Sequence, residues 1–283
     1  MPDLSPLAGN VGAEVAGLDL ARPLAYTDAA WLRESLAAHG VLVFRGQDLT
    51  PERHIELTAL FDDVVRMPYI GALDDYPDII PVLKEADETG IATFGNDWHS
   101  DFSYLERPPG GSLLYAVDVP DHGGDTIWSN MVAAYDALSD GMKKLLAGRN
   151  AMHSGWIYGA KHKANPKRTP RSIKIGRGHA EADVERSQPI VRRHPWSGEP
   201  ALFVNPIYTT RLEGMTREES RPLLGYLYAH SRDPALTCRV RWAPGTLAIW
   251  DNRSTLHYAV NDYDGQRRLL HRTTFAGEVP IAA

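Results

Sequence analysis

The stretch Gly95-Asn96-Asp97-Trp98-His99-Ser100-Asp101-Phe102-Ser103-Tyr104 places an imidazole and a carboxylate two residues apart. In an extended strand, residues i and i+2 project from the same face, so the pattern predicts that His99 and Asp101 bind one metal ion together. The spacing alone is not specific, because His54-Ile55-Glu56 and His179-Ala180-Glu181 repeat it. The rest of the sequence has to decide which triplet is a metal site.

The composition is that of a globular protein. Hydrophobic residues make up 43% and charged residues 23% of the 283 positions, which is close to the usual pattern of folded domains. A formal net charge of −6 disfavours nucleic acid or an anionic membrane as a partner. The single cysteine, Cys238, excludes an internal disulfide and a multi-thiolate metal site. Because neither an export signal nor a membrane span is visible, we expect a cytoplasmic protein.

Local patterns place one of the triplets on a helix. Thr50-Pro51-Glu52 has the N-cap, first-turn proline and first-turn acid of a helix start. Residues i and i+2 of a helix diverge by about 200°, so His54 and Glu56 do not share an ion. Just before this helix, the apolar run Val41-Leu42-Val43-Phe44 is typical of a strand that is buried on both faces.

Many short apolar runs with few helical patterns predict a mainly β protein with decorating helices. The expected core is a double-stranded β-helix, or jelly roll, and we expect one domain over residues 1–283. Residues 154–188 differ, because Lys163, Lys167, Arg168 and other basic residues lie there among Gly, Pro and Ser. This segment is predicted to be a long loop, either a solvated basic excursion or a mobile lid over a site for an anion.

Two histidines and one carboxylate on one face suit an iron(II) ion that must also bind an organic co-substrate and dioxygen. With His99 and Asp101 as two ligands, the third has to come from a separate strand. His257 is the best candidate, because it follows the turn Trp250-Asp251-Asn252-Arg253 and begins a predicted strand. The weaker candidates are His153 and His271 on predicted strands and His162, His179 and His194 in predicted loops.

Two arginines follow His257 at even-numbered positions of one predicted strand. A five-carbon 2-oxo diacid that chelates iron leaves a distal carboxylate, and an arginine fork pairs well with such a group. Arg268 lies eleven residues after His257, and Thr126 offers a hydroxyl donor. Arg272 shares the face of Arg268. The alternative is that the strand is an edge and that both arginines are solvated.

Together these motifs resemble one family. Trp98-His99-Ser100-Asp101, Gly123-Gly124-Asp125-Thr126, the turn before His257, and Arg267-Arg268-Leu269-Leu270-His271-Arg272 are similar, in this order, to the taurine dioxygenase and 2,4-dichlorophenoxyacetate dioxygenase family. The resemblance implies an oxidoreductase that depends on iron(II) and 2-oxoglutarate and has a double-stranded β-helix fold. It also implies that His99, Asp101 and His257 hold iron, that Arg268 and Thr126 bind 2-oxoglutarate, and that Arg272 binds the anionic group of the substrate.

One departure from the family pattern bears on the substrate. Taurine-selective members have a histidine where Arg66-Met67-Pro68-Tyr69 has Met67. The thioether predicts a more apolar wall, which Phe102, Trp156 and Tyr208 are expected to continue, with Tyr69 nearby. We therefore expect a small organic anion such as a sulfonate, a sulfate ester or an aryloxyalkanoate. The alternatives are that Met67 is core packing, with Arg66 or Tyr69 taking over the histidine's role, and that the protein is a taurine dioxygenase proper.

Two other classes of protein stay open from the residues alone. A zinc hydrolase has a similar ligand set, but it gives the paired arginines no task. A non-enzymatic cupin-like binding protein usually shows a His-x-His pair on one strand, and this chain has none. The expected partners are therefore dioxygen and the small anion, and we also expect a homo-oligomer, either a dimer or a tetramer.

Overall fold

The computed structural model describes residues 2–162 and 171–283. Its strands are β1 Asp3–Pro6, β2 Ala13–Ala16, β3 Val41–Phe44, β4 Ile80–Lys84, β5 Gly111–Asp118, β6 Thr126–Asn130, β7 Asn150–His153, β8 Arg186–Pro189, β9 Val191–Arg193, β10 Pro200–Leu202, β11 Thr209–Leu212, β12 Thr237–Val240, β13 Leu247–Asp251, β14 Thr255–Ala259 and β15 Arg268–Phe275. Its α-helices are α1 Tyr26–His39, α2 Pro51–Ala59, α3 Met131–Asp136, α4 Asp140–Leu146 and α5 Arg217–His230. The prediction of a mainly β fold with decorating helices is confirmed.

The largest sheet has seven strands in the order β1-β2-β3-β13-β5-β15-β4. Within it, β2 and β3 are parallel, and the other neighbours are antiparallel. A second sheet has the order β12-β6-β14, and smaller sheets join β11-β7-β8 and β10-β9. Because β15 lies between β5 and β4, it is not an edge strand. The alternative that Arg268 and Arg272 are solvated on an edge is therefore wrong, and both are buried.

Alternation along β3 explains how the layers pack. Val41 and Val43 belong to the same core cluster as Trp128 of β6 and Val240 of β12, so this core lies between the two main sheets. Leu42 and Phe44 instead join the cluster that packs beneath α1 and α2. All four side chains of β3 are fully buried, which confirms the predicted strand with two buried faces.

The second helix begins as its sequence predicts. The Thr50 hydroxyl accepts a hydrogen bond from the backbone N–H of Arg53, and proline occupies the first turn. On α2, His54 is buried and Glu56 is exposed, so the two side chains point apart. This confirms that the first of the competing triplets does not bind one ion. In the described ranges, 2–162 and 171–283, no helix has the length and apolar character needed to span a bilayer.

The basic segment predicted as a loop is built from short turns in its described part. It contains the 3-10 helices Trp156–Tyr158, Ala160–His162 and Ala180–Asp183 before β8 begins. Tyr158, Ile173 and Ala182 are buried, so parts of the segment pack against the body of the protein. Lys163, Lys167 and Arg168 lie outside the described residues, and the role of 154–188 as a lid stays a prediction.

Candidate metal centre and active site

Three buried side chains converge beside the second sheet. His99, Asp101 and His257 each offer one ligand atom, and these three atoms all lie within 4.8 Å of one another. The Nε2 atom of His99 is 3.6 Å from Oδ1 of Asp101, and Nε2 of His257 is 3.9 Å from Oδ2 of Asp101. Among residues 2–162 and 171–283, this is the group of such side chains that is close enough to share an ion. The choice of His257 over the other histidines is consistent with this convergence.

The backbone brings the two imidazoles together by a short antiparallel bridge. The N–H of His257 donates to the carbonyl of His99 at 2.8 Å, and the N–H of His99 donates back at 3.1 Å. The predicted strand through Asp101 is wrong, because Ser100 follows the bridge and Asp101 already lies in a turn. His99 and Asp101 therefore do not converge through strand alternation.

The side chain of Asn252 holds the turn at Asp101 in place through hydrogen bonds. Its Oδ1 accepts from the backbone N–H of Asp101 at 2.7 Å and from the hydroxyl of Ser100 at 3.1 Å. Its Nδ2 donates to the carbonyls of Asp101 and Pro109, both at 3.0 Å. The side chain is 1% exposed, so these bonds are made away from water. The sequence analysis treated Asn252 only as part of a turn and missed this role.

The electrostatics favour the protonation states that a metal ion needs. Burial lowers the pKa of both His99 and His257. Burial also opposes ionisation of Asp101, but the charge of the Arg272 guanidinium, which donates a hydrogen bond to it, holds the pKa of that carboxyl below its usual value. His99 fixes its tautomer by donating Nδ1–H to the carbonyl of Asp97 at 2.7 Å. The result is two neutral imidazoles facing a carboxylate, as metal binding requires.

Several buried polar atoms at this place lack a hydrogen-bond partner in the described structure. They include Oδ2 of Asp101, Nδ1 of His257, Nε of Arg268, and Nε and Nη2 of Arg272. Native proteins satisfy the great majority of buried polar atoms, so these atoms fit a cation beside Asp101 and an anionic ligand beside the arginines. The remaining Nη1 of Arg272 donates to Oδ1 of Asp101 at 3.1 Å.

The predicted co-substrate residues line a small enclosed space beside His257. Thr126 and Arg268 face it, and so does Arg272, which was predicted to bind the substrate rather than 2-oxoglutarate. The Thr126 hydroxyl accepts from the indole N–H of Trp242 at 3.0 Å, which leaves its own proton available to a ligand. Gly124 has φ +66°, and an added Cβ would lie 2.9 Å from Cδ of Arg268. Glycine at this turn therefore lets the backbone approach the arginine closely.

A larger cavity of about 550 Å³ opens on the other side of His99 and Asp101. Of the predicted substrate residues, Trp156 and Tyr208 line it. Met67, Tyr69 and Phe102 are not part of its described lining, and Arg272 lines the smaller space instead, so the structure does not bring the whole predicted set together. Their roles in substrate binding stay predictions.

The three residues away from the wall have other contacts. Met67 belongs to the core cluster between the sheets. The ring of Tyr69 packs at a tilt against that of Tyr158, with ring centroids 5.3 Å apart. Phe102 has φ +46°, a strained conformation for an aromatic residue, and it stacks parallel to Tyr158 at 5.9 Å. Tyr158 itself lines the cavity and was not found from the sequence, because the segment around it has no apolar period.

Comparison with known proteins identifies the class as the 2-oxoglutarate-dependent dioxygenases, which are oxidoreductases. The chain is 34% identical over 282 residues to the alpha-ketoglutarate-dependent sulfate ester dioxygenase of Pseudomonas putida, covering 99% of this chain and 91% of that protein. It is 31% identical over 285 residues to the alpha-ketoglutarate-dependent 2,4-dichlorophenoxyacetate dioxygenase of Cupriavidus pinatubonensis, covering 95% and 96%. The crystal structure of a taurine dioxygenase from Burkholderia xenovorans superposes with a TM-score of 0.83 at 32% identity, covering 99% of this chain and 91% of that chain.

The chain belongs to the taurine catabolism dioxygenase TauD, TfdA family, and the match to this family covers residues 3–274. The family resemblance predicted from the motifs is therefore confirmed. Membership in a family of 2-oxoglutarate-dependent dioxygenases favours the predicted oxidoreductase over a zinc hydrolase and over a non-enzymatic binding protein.

Proposed function

We propose that the protein uses iron(II) and 2-oxoglutarate to hydroxylate a small organic anion, forming succinate and CO2 from the co-substrate. The observation that carries the proposal is the convergence of His99, Asp101 and His257 within 4.8 Å. Two buried arginines, Arg268 and Arg272, lie on strand β15. Iron bound by these three side chains would supply the activation of dioxygen. The core that holds them is proposed to be a double-stranded β-helix.

Each arginine has a separate proposed task. Arg268, with the Thr126 hydroxyl, pairs with the distal carboxylate of 2-oxoglutarate, since an arginine fork matches a carboxylate bidentately. Arg272 binds the anionic group of the substrate through Nε and Nη2, because its Nη1 already donates to Asp101. Both guanidinium groups are buried and keep N–H donors without a partner among the described residues, which favours an anion at each one because an unsatisfied buried polar group is costly.

The proposed substrate is a sulfate ester, a sulfonate or an aryloxyalkanoate with an apolar body. A cavity of about 550 Å³ has room for a much larger molecule than an aminoethyl sulfonate, and its walls include Trp156 and Ile207. The relative from Pseudomonas putida, named for sulfate esters, supports the same choice. Taurine is the less favoured substrate.

The deciding experiment is succinate release across a panel of alkyl sulfates, alkyl sulfonates, aryloxyalkanoates and taurine. We expect an anion with an apolar body to give the highest kcat/KM. Taurine as the best substrate would overturn the choice of substrate class, and failure of every anion to stimulate succinate release would overturn the proposed function. A single domain, a lid at 154–188 and a homo-oligomer remain predictions, which limited proteolysis and sedimentation can test.

A further inference from the structure

The guanidinium of Arg268 lies beside two aromatic rings. Its Cζ atom is 6.0 Å from the ring centroid of Trp242 and 5.8 Å from that of Tyr263, which is within the reach of cation–π attraction. Arg268 is 2% exposed. An arginine binds a carboxylate through two parallel bonds only when the plane of its guanidinium is correctly oriented. The groups that fix this orientation therefore bear on the binding of the co-substrate.

The hydroxyl of Tyr263 joins this guanidinium to a second hydroxyl. Tyr263 is 1% exposed, and its hydroxyl oxygen lies 2.7 Å from Oγ1 of Thr93. Burial lowers the pKa of Arg268, and a hydrogen bond to Tyr263 is among the interactions that act against this lowering. Because arginine has donors only, the phenol oxygen accepts that bond, and the proton of the phenol can go to Thr93. Thr93, Tyr263 and Arg268 thus form a chain of buried hydrogen bonds.

Lys84 of β4 fixes the loop that carries Tyr263, between β14 and β15. Nζ of Lys84 donates to Oδ1 of Asp264 at 2.6 Å and to Oδ1 of Asn261 at 3.0 Å. The backbone N–H of Thr93 donates to the same oxygen of Asn261 at 3.0 Å. Nζ of Lys84 also lies 5.0 Å from the centroid of the Tyr263 ring. The phenol and its hydroxyl partner are therefore both anchored to one loop, as in a supporting shell of hydrogen bonds around a binding site.

The members of this chain of hydrogen bonds face different spaces. Arg268 lines the small space beside His257 together with Thr126. Tyr263 is not part of the described lining of that space, and Thr93 lines the large cavity instead. Tyr263 therefore acts on a ligand in the small space through Arg268 and not by touching it.

We propose that Tyr263 is a positioning residue for 2-oxoglutarate, whose hydroxyl, held by Thr93, keeps the Arg268 guanidinium in one orientation for the distal carboxylate. The inference rests on the proposed function, since it takes Arg268 as the partner of that carboxylate. A guanidinium that is fixed in advance loses less conformational entropy when an anion binds. Tyr263 therefore increases the preference of the site for a 2-oxo diacid over a 2-oxo monoacid.

The test is Tyr263→Phe, which removes the hydroxyl and keeps the ring. Calorimetry on the anaerobic iron(II) protein measures Kd for 2-oxoglutarate and for 2-oxopentanoate, which has the same chain without the distal carboxylate. We expect Kd for 2-oxoglutarate to rise about three- to tenfold, the range of one hydrogen bond, and Kd for 2-oxopentanoate to stay unchanged. Tyr115→Phe is the matched control, because the half-buried Tyr115 hydroxyl bonds to the backbone of Gln47 and Leu49. It should change neither Kd.

A second comparison separates positioning from a general effect on the fold. In an Arg268→Ala background, Tyr263→Phe should not change Kd for 2-oxoglutarate further, because it acts through Arg268. An equal loss in both backgrounds, or an unchanged Kd in the folded Tyr263→Phe protein, would overturn the inference and leave the proposed function intact. A wild-type protein that does not bind 2-oxoglutarate would overturn both. If Tyr263→Phe does not fold, Thr93→Val decides, since it should weaken binding of 2-oxoglutarate but not of 2-oxopentanoate, and an unchanged Kd for 2-oxoglutarate would overturn the inference.

Discussion

Replacing Asn252 with alanine should uncouple the turn at Asp101 from the strand that leads to His257. The substitution removes the four hydrogen bonds of the Asn252 side chain. It leaves the N–H of Asp101 and the carbonyls of Asp101 and Pro109 without those partners in a buried place. Each such group costs about 1 to 3 kcal/mol, and partial relaxation reduces the sum. We expect the free energy of unfolding to fall by about 3 to 5 kcal/mol.

The same change should weaken metal binding, because residues that orient metal ligands contribute roughly ten- to a hundredfold to affinity. Urea unfolding measures the first effect, and anaerobic titration with iron(II) measures the second. Asn130→Ala is the matched control, since it removes a half-buried amide that caps α3 by accepting from the N–H groups of Val132 and Ala133 and has no described hydrogen bond to Asp101. If the metal affinity of Asn252→Ala falls no further than that of Asn130→Ala, the reasoning about Asn252 is refuted.

Two further predictions concern the arginines of β15 and a buried histidine. Arg268→Ala should mainly raise the apparent KM for 2-oxoglutarate, whereas Arg272→Ala should mainly raise the apparent KM for the organic anion. Steady-state kinetics with each substrate varied in turn measure both values. Identical effects of the two substitutions would mean that the assignment is wrong. His54 is buried, and desolvation is the main cause that lowers its pKa to about 3. As pH falls below about 6.5, the imidazole therefore takes up a proton in the unfolded chain before it does so in the folded protein. Stability is lost between about pH 6.5 and pH 3. At pH 5 this loss is about 2 kcal/mol. His54→Leu should therefore flatten the dependence of unfolding free energy on pH in that window, and an unchanged slope would count against a neutral buried imidazole.

The sequence predicts which residues meet at the metal site better than it predicts the backbone conformation that brings them together. His257 was chosen because a turn precedes it, and that turn indeed brings it opposite His99. The conformation at Asp101 was predicted wrongly, because a side chain 151 residues away, Asn252, sets it. Local propensity contains no information about such a distant partner. The burial of Arg268 likewise depends on a distant partner, because β4 pairs with β15 and β15 is therefore not an edge strand.

The substrate cavity was the hardest part to predict. Its wall combines residues that precede His99 with the 156–162 and 171–177 segments and the loop after β10. Three of the predicted wall residues, Met67, Tyr69 and Phe102, are not in the described lining. For Phe102, nearness in sequence to Asp101 does not fix which side of a strained turn the aromatic ring takes. Tyr158 lies in a segment that has no apolar periodicity, and only tertiary contacts place it in the lining of the cavity that also contains His99 and Asp101.

The most direct test of the central claim is the visible absorption of the anaerobic protein with iron(II) and 2-oxoglutarate. Chelation of iron by the keto acid in the proposed site predicts a charge-transfer band that appears only when both are present. Asp101→Ala should abolish the band, and Arg268→Ala should require more 2-oxoglutarate to reach it. A wild-type protein without the band, or an Asp101→Ala protein that retains it unchanged, would contradict the proposed iron and 2-oxoglutarate site.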